Sequence, residues 1–315
     1  IASMTKPLTA TAVAMLVDEG KLALDDPVEK ILPEFKGQWM IDSRGESAMT
    51  LVRPPRAITI RDLLTHTSGL GDVSSPRPDC ALAELVMGYA REPLQFAPGS
   101  KWQYSTAGIN TLGRVVEVVS GQPFAVFLQR QILDPLGMKD TTFWPTRPQA
   151  RRLARSYQPA TAGQGLEEVG IYFIEGSVTS RRRTVRPGGG LFSTASDMFR
   201  FYQMILDGGV WKGRRLVSAA AVGQMTHTQT GDLKTGFVDG MSFGLGWGVV
   251  KEPQGITEGL SAGTFGHGGA YGTQGWVDPE KHLILVLMIQ RAKLPNADGS
   301  EIRRDFQKAA LGAVR

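Results

Sequence analysis

The sequence predicts an α+β fold in which an antiparallel sheet flanked by helices stands beside a mostly helical part. Three observations predict it. Apolar segments of helical period fill the first half of the chain. From Phe243 onward, short β-rich segments bounded by Gly and Pro dominate. A further helical segment then closes the chain. Helices first and strands with flanking helices later divide it into a mainly helical unit, 1–186, and an α/β unit, 187–315. With 315 residues, 42% of them hydrophobic and 21% charged, the chain can bury a sizeable core.

Each element has its own signal. Residues 8–19 are rich in Ala, Leu, Val and Met and stop at Gly20. Thr59, with Asp62 three residues on, reads as a capping box opening a helix at 60–64. Helices are expected at 81–90, at 107–119 with a stop at Ser120-Gly121, and at 124–132. After Pro187-Gly188-Gly189-Gly190, read as punctuation, another runs over 196–206 and ends at Gly208-Gly209. Strands are expected at 244–250, 263–265, 272–277 and 283–290, with a turn at 278–281. The last helix is placed at 301–311, with Gly312 as its stop.

Composition excludes several classes. Net charge is +5, and the basic clusters Arg151-Arg152, Arg181-Arg182-Arg183 and Arg214-Arg215 are short and not interleaved with aromatics, so no nucleic-acid platform is expected. No apolar run reaches the roughly 18 residues of a membrane-spanning helix. Cys80 is the sole cysteine, which rules out an intramolecular disulfide and a multi-cysteine zinc site. Histidines 66, 227, 267 and 282 lack metal-ligand spacing, and the glycines 244, 246 and 248 do not form a dinucleotide fingerprint. Neither a metal nor a cofactor is expected.

The candidate chemistry starts at Ser3-Met4-Thr5-Lys6, an S-x-x-K pattern entering a helix. Positions i and i+3 share a helix face, so Lys6 can bring its amine to the Ser3 hydroxyl. Pro7 suits a first turn, which puts Ser3 at the helix N-terminus. That end carries partial positive charge, which favours an oxyanion and disfavours an ammonium on Lys6. A lysine base must fall from about 10.4 to about 7–8. Tyr104, before the helix at 107–119, is a second proton-handling candidate, able to act as a phenolate beside a lysine ammonium. His267-Gly268-Gly269-Ala270 lies on an expected strand, where two glycines let a substrate approach the backbone. There the Ala270 N–H can join the Ser3 N–H as an oxyanion donor. Gly240-Met241-Ser242-Phe243-Gly244 matches the nucleophile-elbow pattern G-x-S-x-G, but a strand-like segment follows where that motif needs a helix, so Ser242 is set aside.

The order and spacing of these motifs resemble the serine β-lactamase and penicillin-binding-protein superfamily. The resemblance is to its class C-like branch of β-lactamases, D-alanyl-D-alanine carboxypeptidases, D-aminopeptidases and family VIII carboxylesterases. It extends through Gly20-Lys21-Leu22, the stretch 58–70 with Leu64-Thr65-His66-Thr67-Ser68-Gly69, Trp102-Gln103-Tyr104-Ser105, Pro135-Leu136-Gly137-Met138 and the stretch 189–198. It implies a β-lactamase/transpeptidase-like fold and Ser3 as the acylated nucleophile. Lys6 and Tyr104 would then share the base and proton-shuttle work, and Ser3 and Ala270 would supply oxyanion N–H groups. Thr106, His267, Gly268 and Gly269 would contact substrate. Two departures favour esters or small amides over β-lactams. Thr106 stands where class C β-lactamases carry Asn, and His267 stands in place of a lysine whose fixed charge would meet a substrate carboxylate. A third departure is that the chain begins two residues before Ser3, where family members carry an upstream segment that adds to the sheet. An N-terminal piece is therefore expected to be missing.

The expected function is a serine hydrolase, foremost a carboxylesterase acting on a small-molecule ester or amide. A β-lactamase or D-peptidase is the first alternative, and a non-catalytic binding protein of the same fold the second. Loops 71–80, 145–185 and 228–240 are expected around the pocket; Trp102, Trp144 and Trp276 are candidates for its wall, but tryptophans in such positions more often belong to the core. The sequence leaves compartment and oligomeric state open.

Overall fold

The computed structural model describes residues 1–46, 48–72, 77–160, 163–171, 174 and 176–314. A 3-10 turn over Ala2–Met4 leads directly into helix α1, Thr5–Asp18. Residues 5–16 of α1 are all buried, so this helix is enclosed on every side rather than amphipathic. The β-hairpin β1 (Met40–Arg44) and β2 (Met49–Val52) follows. Helix α2, Ile60–Leu64, opens with the expected Thr59–Asp62 capping box. Helices α3 (Leu82–Arg91) and α4 (Thr106–Ser120) come next, α4 stopping at Gly121 with φ 68°. Residues 124–136 form one continuous helical run, with α5 (Phe124–Leu128) and α6 (Asp134–Leu136) joined through a π-helical turn at Gln129–Leu133. The short α7, Arg147–Ala150, precedes a hairpin of β3 (Ser156–Pro159) and β4 (Leu166–Val169).

The second half opens with α8, Ala195–Leu206. A two-residue hairpin, β5 (Val210–Trp211) with β6 (Arg214–Arg215), leads to α9, Ala219–Thr226. The main sheet has five antiparallel strands: β7 (Met241–Phe243), β8 (Gly248–Val250), β9 (Phe265–Gly268), β10 (Gln274–Asp278) and β11 (Leu283–Leu287). Its spatial order is β11-β10-β9-β8-β7, a simple meander. Helix α10, Glu301–Ala313, closes the described chain.

Alternation along the strands sends side chains to two cores. Trp276 pairs with Leu285, and with Val250 they pack under Phe306, Ala310 and Leu311 of α10. Val277 pairs with Ile284, and with Val249 and Phe265 they join the large core containing α1, α4 and α8. The sheet is thus covered by α10 on one face and by α1 and α8 on the other. The close packing of α1 on both α4 and β9 brings the Ser3 turn to the junction of helices and sheet.

Two sequence expectations change, and two sets of elements lie outside them. The segment 244–250 is not one strand: β7 ends at Phe243, and a turn at 244–247 with Gly246 at φ 77° precedes β8. A Cβ on Gly246 would lie 2.5 Å from Ala10 Cβ of α1, so this turn needs glycine twice over, for its conformation and for its contact. Gly312 does not stop the last helix, which runs through it to Ala313. The hairpins β1-β2, β3-β4 and β5-β6 lie in stretches with little strand signal. Helix α9 was also unexpected; its Ser218 cap, which accepts from the Ala221 N–H, is the cue that marks its start.

Candidate active site

Ser3 sits in the 3-10 turn, one residue after Ala2, which holds the left-handed φ of 44°. Lys6, in the first turn of α1, is fully buried. Its Nζ lies 3.1 Å from Ser3 Oγ, 2.6 Å from the Gly188 carbonyl oxygen and 3.5 Å from Thr106 Oγ1. The i, i+3 pairing expected from S-x-x-K is therefore present. Burial lowers the Lys6 pKa to about 7, against the opposing pull of the Asp72 carboxylate. Desolvation is thus the main cause of the depression, within the buried helix-end setting that the sequence suggests.

Tyr104 joins Ser3 from the segment before α4. The ring face of Tyr104 receives the Lys6 amine, 4.7 Å from its centroid. Burial raises the Tyr104 pKa, and a hydrogen bond with Ser3 only partly offsets this. Burial thus favours the protonated hydroxyl, so the phenolate that the sequence allows beside a lysine ammonium is not the favoured resting form.

His267 lies on β9 and is buried. Its Nδ1–H donates to the Gly268 carbonyl at 2.7 Å. Burial, helped by Lys6, lowers its pKa to about 4, so it is neutral at pH 7. Gly268 and Gly269 follow and border the cleft, and each is also needed for a second, steric reason. A Cβ on Gly268 would lie 1.9 Å from Asp298 Oδ1, and one on Gly269 would lie 2.1 Å from Thr273 Oγ1. The glycines make room for the protein's own groups. The turn after β9 is closed by Gly269 N–H to Thr273 O at 2.8 Å and by Gly272 N–H to Gly269 O at 2.9 Å, which fixes Ala270 beside the cleft.

Ser3, Tyr104, His267 and Ala270 border one cleft of about 710 Å³. Its remaining wall comes from Gly268 and Gly269, from Gln158, Val169 and Gly170, from Phe237 and from the stretch 292–298. Loops 145–185 and 228–240 contribute as expected, whereas 292–298 was not foreseen and the described part of 71–80 lines none of it. Asp72 of that loop instead caps α4, accepting from the Thr106 N–H at 3.3 Å and from the Ala107 N–H. None of the three tryptophans borders the cleft. Trp102 packs on Tyr104, Phe237 and Phe243, Trp144 donates to the Arg183 carbonyl, and Trp276 donates to Gln274. Thr106, expected to contact substrate, faces Lys6 and Gly188 and does not line the cleft.

One further group acts on Lys6 from behind, through the Gly188 peptide. Asn110, one turn beyond Thr106 on α4, accepts from the Gly188 N–H at 2.8 Å and donates to Tyr89 Oη at 2.9 Å. It anchors the peptide segment whose carbonyl holds Lys6. Ser242, the rejected nucleophile, is buried on β7 with its hydroxyl against Thr228 and Thr230. Among the described residues no cluster of three metal-ligating side chains occurs, and no helix is long and apolar enough to cross a membrane.

This arrangement can be set against known proteins. A family described as Beta-lactamase matches residues 1–310. An uncharacterised protein of Mycobacterium tuberculosis is 36% identical over 99% of this chain and 86% of its own length. Esterase EstB of Burkholderia gladioli is 32% identical over 93% of this chain and 77% of its own. Among solved structures, simvastatin synthase (LovD) of Aspergillus terreus superposes with a TM-score of 0.80 at 22% identity, covering all of this chain and 82% of that one, a likeness of fold. The chain belongs to the beta-lactamase family, within the serine β-lactamase and penicillin-binding-protein superfamily.

Proposed function

We propose that the protein is a serine carboxylesterase that cleaves short-chain acyl esters through an acyl-enzyme on Ser3. The observation that carries this is the buried, depressed-pKa Lys6 amine 3.1 Å from a Ser3 hydroxyl that opens on an apolar-walled cleft. The similarity to esterase EstB supports the same reading.

A neutral amine has two N–H bonds and one lone pair. The Gly188 carbonyl and Thr106 Oγ1 accept the two N–H bonds, which leaves the lone pair for the Ser3 proton. Lys6 takes that proton as Ser3 Oγ attacks the ester carbonyl. The Ser3 and Ala270 N–H groups receive the developing oxyanion. The tetrahedral intermediate collapses, the C–O bond to the leaving alcohol breaks, and the alkoxide takes a proton relayed from Lys6 through the Tyr104 hydroxyl. Deacylation reverses the relay: water attacks the acyl carbon and surrenders its proton through Tyr104 to Lys6. Lys6 returns it to Ser3 as the acid leaves.

The test is hydrolysis of p-nitrophenyl butyrate by wild type and by Ser3→Ala. Loss of about 10³-fold or more in kcat is expected, since removal of a nucleophile leaves only binding and oxyanion stabilisation. Retained activity in Ser3→Ala would place the chemistry elsewhere. The D-peptidase or β-lactamase alternative predicts instead that a D-Ala-D-Ala peptide or a chromogenic cephalosporin turns over faster than the butyrate.

A further inference from the structure

Tyr104 lies in a segment without regular structure, one residue before the Ser105 cap of α4. Its helix therefore does not fix it, and one distant residue does. The Gln103 N–H donates to the His66 carbonyl at 2.9 Å, and the Ser105 N–H donates to His66 Nδ1 at 3.2 Å. Both amides flanking Tyr104 thus end on His66. The imidazole also lies against the Tyr104 ring, with centroids 4.6 Å apart and planes at 41°. Phe243, at 5.1 Å, and Trp102, at 6.1 Å, hold the imidazole on other sides.

The backbone of His66 is as informative as its contacts. It has φ 61° and follows Thr65, the C-cap of α2. Helices commonly place glycine at this left-handed position, because a Cβ is disfavoured there. Histidine is 1% exposed here, in a conformation that glycine would adopt freely. Its side chain, not its backbone, is what distinguishes it from glycine at this site.

We infer that His66 is the positioning residue for Tyr104, clamping the amides on either side of it and its ring so that the phenol meets Ser3 and Lys6. His66 does not line the cleft and touches no reacting atom. The clamp needs Nδ1 as an acceptor, so the proton of the neutral ring sits on Nε2. Burial keeps the imidazole neutral by lowering its pKa well below the usual histidine range, with Lys6 acting in the same direction. The inference rests on the reading of Tyr104 as the proton relay.

The experiment is a double-mutant cycle on p-nitrophenyl butyrate hydrolysis, with thermal melts as a check on folding. His66→Gly keeps the backbone conformation and removes the acceptor. His66→Asn tolerates the left-handed conformation and returns an acceptor oxygen near the place of Nδ1. His66→Gly should lower kcat by about 10²-fold with KM changed by less than about twofold, the signature of a misplaced catalytic group. His66→Asn should recover kcat to within about fivefold of wild type, since it restores the geometry. In a Tyr104→Phe background, His66→Gly should cost nothing further, because the group it positions has lost its hydroxyl. Equal losses in the Gly and Asn variants, or a full additional loss in the Tyr104→Phe background, would overturn the clamp. An active His66→Gly beside an inactive Tyr104→Phe would overturn the clamp alone. Wild-type kcat in Tyr104→Phe would overturn the relay, and the clamp with it. If His66→Gly does not fold, His66→Leu supplies the same comparison, keeping the bulk without the acceptor.

Discussion

Lys6 is where sequence, burial and chemistry meet most closely. A pKa lowered to about 7 by desolvation means that the amine is mostly ammonium below pH 7 and mostly neutral above it. Only the neutral form can take the Ser3 proton, so activity should rise with pH through that value. We expect kcat/KM for a neutral ester to show an acid limb with an apparent pKa near 7 and a plateau above it. His267, already neutral above about pH 4, adds no second limb in that range. A kcat/KM flat from pH 5.5 to 8.5 would mean that Lys6 is not the base. The S-x-x-K pair was legible because its geometry is local: three residues on a helix bring two side chains together whatever the rest of the fold does. Tyr104 and the His267–Ala270 segment are candidates in the sequence, but only the resemblance joins them to Ser3, since nothing near either one in the chain announces its partner. The protonation state of Tyr104 is not legible in the sequence for a related reason. It depends on how deeply the ring is buried and on which part of it Lys6 faces, and neither is written in the local sequence.

At the scale of elements, the site depends on how α4 addresses the 187–190 segment. Asn110 makes one hydrogen bond to the Gly188 N–H and one to Tyr89 Oη, both in the buried interior. Truncation to Ala would leave two buried polar groups unpaired. Asn110→Ala is expected to destabilise the fold by about 1–3 kcal/mol in urea denaturation. It should also lower kcat by roughly tenfold as the Gly188 carbonyl loosens its hold on Lys6. Unchanged stability together with unchanged kcat would show that the 187–190 segment is held by other contacts. Pro187-Gly188-Gly189-Gly190 reads in sequence as punctuation between halves of the chain, and the structure makes it a ligand of the lysine from 182 residues away. That role has no local signature. Any peptide carbonyl can fill it, and the reason for glycine at 188 is steric: a Cβ there would lie 2.7 Å from Thr106 Cγ2. The longer helices are legible because period and caps are local, and only their ends differ, whereas the short α7 and α9 are not. The small hairpins were not, because strands of two to five residues held by tertiary contacts carry little pattern of their own.

Over the whole molecule, the meeting of the α1 end, the α4 approach and the rim of β9 makes a cleft whose outer wall comes from chain segments far apart in sequence. Phe237 is the large apolar side chain of that wall. It is 44% exposed, 5.0 Å from the Tyr104 ring and 6.0 Å from Trp102. A side chain so exposed contributes little to folding and much to the width of the opening. Phe237→Ala should therefore leave the melting temperature close to wild type and widen the acyl side of the cleft. The expected outcome is a several-fold rise in the ratio of kcat/KM for p-nitrophenyl octanoate to that for the butyrate, in keeping with the modest discrimination a hydrophobic wall achieves per methylene. Because Phe237 also touches Tyr104, butyrate turnover is the internal control. A fall in kcat for both esters by the same factor would mean that Phe237 supports the relay and does not set chain length. An unchanged ratio with unchanged kcat would move the acyl pocket to another part of the cleft, with the 292–298 wall as the next place to probe.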